Sequence, residues 1–288
     1  MAASAQIART RRRQYTRLWQ VYLPVVIMVV LTLFPFYWMV ITSFKADSEL
    51  YNVRSNPLIV TKVTLDNYIF LLKETLFARW MLNSLIVSVA STAISMVCSV
   101  LAGYALGRLR FRGANVIGWL IFVAYLLPPT LLFIPLTQQV GYLGLLNSYW
   151  SLILVYPTFL VPFSTWLLIG YFRSIPHELE ESALIDGATR LQAMWYIIIP
   201  LALPGLMSVG IFSFTLSWNE FIYALVFLSD ASRKTIPLGV TSELIRGDVF
   251  FWGSLMAGAL LGSVPVAVIY SFFVEYFVAG LTAGAVKG

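Results

Sequence analysis

Six mostly apolar runs divide the chain, each at least as long as the ~20 residues a helix needs to cross a bilayer. They are Leu18–Phe44, Met81–Leu106, Val116–Leu136, Tyr149–Tyr171, Leu203–Leu228 and Phe251–Phe277. Nothing left between them is long enough for a soluble catalytic domain. The reading is therefore one all-α polytopic membrane domain over 18–277, with tails 1–17 and 278–288. Composition agrees: 59% of residues are hydrophobic and 11% charged, against about 45–50% and about 25% in soluble domains.

The net charge of +6 invites a nucleic-acid reading, but its placement argues otherwise. Arg9, Arg11, Arg12, Arg13 and Arg17 precede the first run, and Arg108, Arg110 and Arg112 sit between the second and third. Basic clusters flanking apolar runs are topology signals that stay in the cytoplasm. Six crossings then place both tails, the arginine hinge and the segment 172–200 inside, with 45–80, 137–148 and 229–250 outside. Lys45, Arg54, Lys62, Lys73 and Arg79 dilute the signal in the first external segment, where Asp47, Glu49, Asp66 and Glu74 accompany them.

The first run resembles a signal-peptide core. It is longer than the usual h-region of about 7–15 residues, however, and no small-residue cleavage site follows it. We read it as an uncleaved span, eased near Pro24 and Pro35. Cys98 is the only cysteine and His177 the only histidine. No intramolecular disulfide can form, and a Cys/His metal site is not expected. His177 reads as a surface residue, and Glu275 as a side chain reaching the interface.

Two spans carry the small-residue spacing that lets helices approach closely in lipid, Gly103-xxx-Gly107 and Gly258-xxx-Gly262. Pro128, Pro129 and Pro135 predict a broken or bent third span.

The segment 172–200 is too polar to lie in lipid and too patterned for a loose loop. Ser174 or a neighbour could cap a helix with Pro176 in its first turn, where a missing N–H costs nothing. Glu178, Glu180 and Glu181 suit the positive end of the helix dipole. Leu179 and Ala183 lie four apart, with Ser182 and Ala183 leaving a low-relief face, and Gly187 permits a left-handed stop. A second helix resumes through Gln192 and Trp195, and Pro200 and Pro204 mark the entry to the fifth span. An acidic rim around a smooth apolar face suits a groove on a partner protein. A helix resting on headgroups would instead carry Lys and Arg.

The pattern Glu181-Ser182-Ala183, three residues, Gly187, nine residues, Ile197-x-Ile199-Pro200 resembles the EAA motif of membrane subunits of binding-protein-dependent ABC importers. Ser182 replaces the second small residue and Ile199 a leucine, each preserving size or apolarity. The six-run layout, Trp218-Asn219-Glu220-Phe221 and the small-residue ending Gly280–Gly288 extend the resemblance to the MalG-like branch of carbohydrate importers. The resemblance implies a MetI-like permease fold in a bacterial inner, cytoplasmic membrane. It also implies a second related permease subunit, two ATP-binding subunits and an extracytoplasmic solute-binding protein, with a sugar or polyol as cargo. Glu181, Ser182, Ala183, Asp186, Gly187 and Pro200 would form the coupling helix and its flank, seated on an ATPase subunit. Ala283–Gly288 would reach between those subunits. The chain has no Gly-Lys dipeptide, hence no phosphate loop of its own. ATP and Mg belong to the partners, and no catalytic residue or bound cofactor is expected here.

Glu220 is the one carboxylate well inside the fifth run, about 25 Å from its cytoplasmic end at ~1.5 Å per residue. Such groups face a cavity or a partner. With Trp218 and Asn219 it could line a sugar pathway; alternatively it stitches the fifth span to a neighbour. A self-contained secondary transporter would need coupling carboxylates or interrupted helices repeated in two halves, and neither repeated halves nor a second Glu220-like residue is present. A membrane-embedded enzyme would need converging acids, bases or metal ligands, which this composition does not supply.

Overall fold

The computed structural model describes residues 18–247 and 249–285. Expectations for 1–17 and 286–288 lie outside the described residues, as do side chains from 275 onward, including Glu275. Four helices are long and apolar enough to cross a membrane, and six spans result if each of two bent pairs counts as one.

The chain forms two compact units. The first holds the residues through Glu74 together with Arg246–Leu261. Here α1 (Leu23–Ser43) follows a π-helical turn and is exposed along nearly its whole length. The segment after it is tied down by polar groups. Lys45 is buried and donates Nζ to Asn56 O and Pro57 O, both at 2.9 Å. Glu49, 3.9 Å from Lys45, accepts the backbone N–H groups of Thr61 at 3.0 Å and Lys62 at 3.3 Å. These two charges, expected to dilute the topology signal, act instead as a structural clip. On α2 (Asp66–Lys73), Asn67 donates Nδ2 to Ser43 O at 3.0 Å and Lys45 O at 2.8 Å. Gly253 lies against the Asn67 carboxamide, leaving no room for a Cβ.

The second unit runs from Thr75 to Ile245 and resumes at Gly262. Its centre is α3 (Phe77–Arg108), packed on the fourth span, which is built from α6 (Tyr149–Val155) and α7 (Pro157–Ser174). Gly103 and Gly107 allow that approach. A Cβ on Gly103 would lie 2.9 Å from Leu168 Cβ, and one on Gly107 3.3 Å from Ile169 O. Hydroxyl pairs tie each of these two helices to the fifth apolar run, Ser91 to Ser217 at 2.9 Å and Ser164 to Ser213 at 2.9 Å.

The third and fifth apolar runs are not single helices. The third divides into α4 (Ala114–Leu126) and α5 (Pro129–Tyr142), which meet at 95°. Leu127 and Pro128 are extended there, as expected where a residue precedes proline. Because α5 continues to Tyr142, the connection expected outside begins later than 137. The fifth run is α10 (Leu203–Trp218), a break at 219–221, then α11 (Ile222–Phe227). The order ends with α12 (Ile236–Leu244), the two-residue strands β1 (Ile245–Arg246) and β2 (Val249–Phe250), and α13 (Trp252–Ala285). The described part of the expected tail 278–288 is therefore a continuation of the last helix.

Candidate functional site

The polar segment folds into two helices joined by a tight stop. Its first helix, α8 (His177–Ile185), begins after Pro176, whose ψ of 135° turns the chain into it. Ser174 does not cap this helix. Its hydroxyl donates back to Tyr171 O at 2.7 Å, because Ile175 and Pro176 carry the chain away in extended conformation. At the other end Gly187 has φ of 91°, its N–H reaches Leu184 O at 3.2 Å, and Ala188 N–H reaches Ala183 O at 2.9 Å. Those two bonds make a Schellman stop, which requires a left-handed residue at Gly187. The chain restarts on a capping box. Thr189 Oγ1 accepts Gln192 N–H at 3.3 Å, and Gln192 Oε1 accepts Thr189 N–H at 2.8 Å. This Thr-x-x-Gln pair was readable in the sequence. From there α9 (Arg190–Ala193) passes through the π turn Met194–Ile198 to Leu201, then bends 78° into α10.

What holds α8 to the spans is Arg108, the last residue of α3. Its Nε donates to Glu180 Oε2 at 2.8 Å and its Nη1 to Ile175 O at 2.6 Å and Phe172 O at 3.2 Å. Nη2 reaches Pro176 O at 3.2 Å. One guanidinium thus ties down the last carbonyls of α7 and the first turn of α8. Tyr104, one turn earlier on α3, donates its hydroxyl to Glu180 Oε1 at 2.6 Å. Burial alone would raise the Glu180 carboxyl. Hydrogen bonds from Tyr104 and Arg108, with the charges of Arg108 and Arg190, outweigh burial and hold it below the ordinary carboxylate value. A cleft of about 620 Å³ opens beside this pair, lined by Arg110, Phe111, His177, Glu181 and Arg190 among others.

Several expected contacts turn out to face inward. Glu180 is not part of an exposed acidic rim, because its carboxylate is consumed by Arg108 and Tyr104. Ala183 is 8% exposed and packs into the chain's own interior, so Leu179 and Ala183 do not share a docking face. Glu181, Ser182, Asp186, Gly187 and Pro200 are exposed. The apolar surface turned outward comes instead from Leu179, Ile185 (86% exposed), Leu191, Trp195 and Tyr196 (79% exposed). His177 is half-buried. Among the described residues no group of three or more His, Cys, Asp or Glu could hold a metal.

The second predicted site is rearranged too. Trp218 is buried, stacks on Phe214 with ring centres 5.5 Å apart, and donates Nε1 to Gly262 O at 3.0 Å. It packs the interior and does not offer a face to solute. Glu220 follows the stitching reading. Its Oε1 accepts Tyr223 N–H at 2.8 Å, and its Oε2 accepts Ala224 N–H at 3.2 Å and the Tyr156 hydroxyl at 2.8 Å. It caps α11 after the break and anchors that break to the joint between α6 and α7 at Tyr156. Tyr223 extends the link by donating its hydroxyl to Pro129 O at 2.8 Å, at the break of the third span. Two interruptions, at 127–128 and 219–221, are thereby pinned to each other and to Tyr156 of the fourth span. Asn219 alone of the predicted trio is exposed, with Nδ2 donating to Thr215 O at 2.9 Å.

Comparison with known proteins gives consistent matches. Residues 99–283 match the family described as binding-protein-dependent transport system inner membrane component. The chain is 38% identical to the sulfoquinovosyl glycerol transport system permease protein of Agrobacterium fabrum, over 91% of each chain. It is 35% identical to the trehalose/maltose transport system permease protein of Thermococcus litoralis, covering 91% of this chain and 94% of that one. Among solved structures, a chain of a bacterial ABC transporter that imports the acidic polysaccharide alginate superposes with a TM-score of 0.78. That match has 24% identity and covers 91% of this chain and 98% of that chain.

Proposed function

This chain belongs to the binding-protein-dependent transport system inner membrane components, and from that premise we propose that it passes a sugar or related polyol through the membrane by alternating access. It is the membrane permease component of an ABC importer and works with a solute-binding protein. The cargo class is inferred from relatives whose names specify trehalose, maltose and sulfoquinovosyl glycerol. We further infer a second related permease subunit and two ATP-binding subunits, which would hold ATP and Mg. Both termini would lie in the cytoplasm, on the side of the arginine hinge.

The single observation that carries this reading is the four-way hold of Arg108 on Glu180, Phe172 O, Ile175 O and Pro176 O. In our reading α8 is the coupling helix, seated on an ATPase subunit through Leu179, Glu181, Ser182, Ile185, Asp186 and the flank up to Pro200. Closure of the ATPase pair would push α8, and Arg108 would pass the push directly to α3 and α7. The pinned breaks at 127–128 and 219–221 would then serve as the points where spans change angle, since broken backbone at membrane depth is tolerated only against protein or a water-filled cavity. Asn219 is the predicted pathway residue left free to meet solute; Trp218 and Glu220 would shape the path without touching it.

The test is Gly187→Asp, which removes the left-handed stop that sets α9 against α8. Binding-protein-dependent sugar uptake and sugar-stimulated ATP hydrolysis should both fall while the chain still reaches the membrane. Intact uptake and stimulation would sink the coupling role.

A further inference from the structure

Between the ends of α3, α4 and α7, at the arginine-hinge end of the spans, lies a groove of about 270 Å³ that the transport reading does not use. Its walls are the rings of Trp119, Phe122 and Trp166. Trp119 and Phe122 have ring centres 5.9 Å apart, and Phe122 and Trp166 5.5 Å. Trp119 and Trp166 are both exposed. Gly118 belongs to the lining, and a Cβ built on it meets no atom within 4 Å. The mouth carries Arg173 in the last turn of α7 and Asn115 in the first turn of α4. Arg173 makes one described hydrogen bond, Nη2 to Leu106 O at 3.3 Å, and no described carboxylate pairs with it.

We propose that this groove is a binding site for an anionic phospholipid of the leaflet on the arginine-hinge side. The lipid phosphate would meet Arg173 and Asn115, and one acyl chain would lie over Gly118 between the aromatic rings. Charge complementarity carries the choice of occupant: the lining contains one ionisable group, an arginine, and no acid. Depth agrees. Arg173 ends a span, which is headgroup level, and basic pockets between spans near the cytoplasmic face select anionic headgroups. From Asn115 to Phe122 the groove runs about 10 Å along α4 at ~1.5 Å per residue, enough for the upper part of an acyl chain. Tryptophan is at home at that depth, where one edge meets headgroups and the other hydrocarbon.

The experiment uses the full chain, purified in detergent in the assembly it forms. Native mass spectrometry and thermal-midpoint titration would follow added phosphatidylglycerol, phosphatidylcholine of the same acyl composition, and glycerol 1-phosphate. The wild type should prefer phosphatidylglycerol. Arg173→Gln should weaken that lipid by about fivefold, the size of one basic contact near a headgroup, and abolish the preference. Gly118→Leu, whose Cβ meets no atom within 4 Å, should displace both lipids, whereas Arg54→Gln should change nothing. Equal binding of the two lipids by wild type overturns the proposal, as does wild-type behaviour of both groove variants. Full competition by glycerol 1-phosphate would show an anion site without a lipid, and cross-linking of Trp119→Cys to a co-purifying subunit would show a protein occupant. Either result also overturns it.

Discussion

Arg108 Nε lies 2.8 Å from Glu180 Oε2, both side chains buried, 72 residues apart in sequence. This pair joins the end of the second span to the first turn of the helix that we assign to ATPase docking. Removing one partner of a buried pair leaves an uncompensated charge and costs about 3–5 kcal/mol. Arg108→Met should lower the thermal midpoint of the purified chain sharply. Arg108→Met combined with Glu180→Met should recover part of the loss. A double variant as unstable as the sum of the singles would mean that the two do not act as a pair.

Glu180 also makes a pH prediction. Its carboxyl is held below the ordinary value because Tyr104 and Arg108 hydrogen bonds and basic charge outweigh burial. A group depressed in the folded state stabilises at pH above its unfolded value and loses that contribution as pH falls towards its folded value. The Glu180 contribution should therefore be full at neutral pH and fade only below the usual carboxylate range. Thermal midpoints of wild type and Glu180→Gln, measured from neutral to acid, check it. The gap between them should narrow on acidification, and a gap that widens would contradict the account.

Glu220 separates capping from cargo contact. Glu220→Ala strips acceptors from two backbone N–H groups and from the buried Tyr156 hydroxyl. A lost cap costs about 1 kcal/mol and an unsatisfied buried donor about 1–3 kcal/mol, so its thermal midpoint should drop clearly. Glu220→Gln keeps acceptor oxygen and should retain most uptake. Normal assembly with strongly weakened uptake in Glu220→Gln would return the residue to the solute pathway.

Two glycines set a packing contrast. Gly239 lies against the indole of Trp80, which is buried and donates Nε1 to Ala231 O at 2.8 Å. Gly239→Ala should cost about 1–3 kcal/mol through overpacking. Gly210, mid-helix with nothing within 4 Å of an added Cβ, should accept alanine with unchanged or raised stability. Thermal midpoints of the two variants test the contrast, and a reversed order would refute it.

How legible the molecule was depended on the range of each interaction. The spans, the proline break at 128, the packing role of Gly103 and Gly107, and the left-handed Gly187 all rest on local chemistry, and the sequence carries them. Glu180 and Arg108 did not announce themselves, because one looked like dipole decoration and the other like a topology signal. Their meeting depends on how α7 delivers Ile175 and Pro176 to the end of α3. Trp218 misled for a related reason. An aromatic beside Asn and Glu has the composition of a sugar site, but its direction is set by the approach of Gly262, which no local pattern reports. Lys45 and Glu49 were hidden likewise, a clip read as loose charge.

The most direct measurement is site-specific cross-linking from Ile185, the most exposed apolar residue of α8. On a Cys98→Ser background, Ile185→Cys would carry a photoactivatable probe in membranes holding the assembled importer. The account predicts capture of an ATP-binding subunit, a yield that changes when ATP is added, and no such capture from a probe at Tyr51→Cys. Failure to capture that subunit from position 185, or equal capture from position 51, would contradict it.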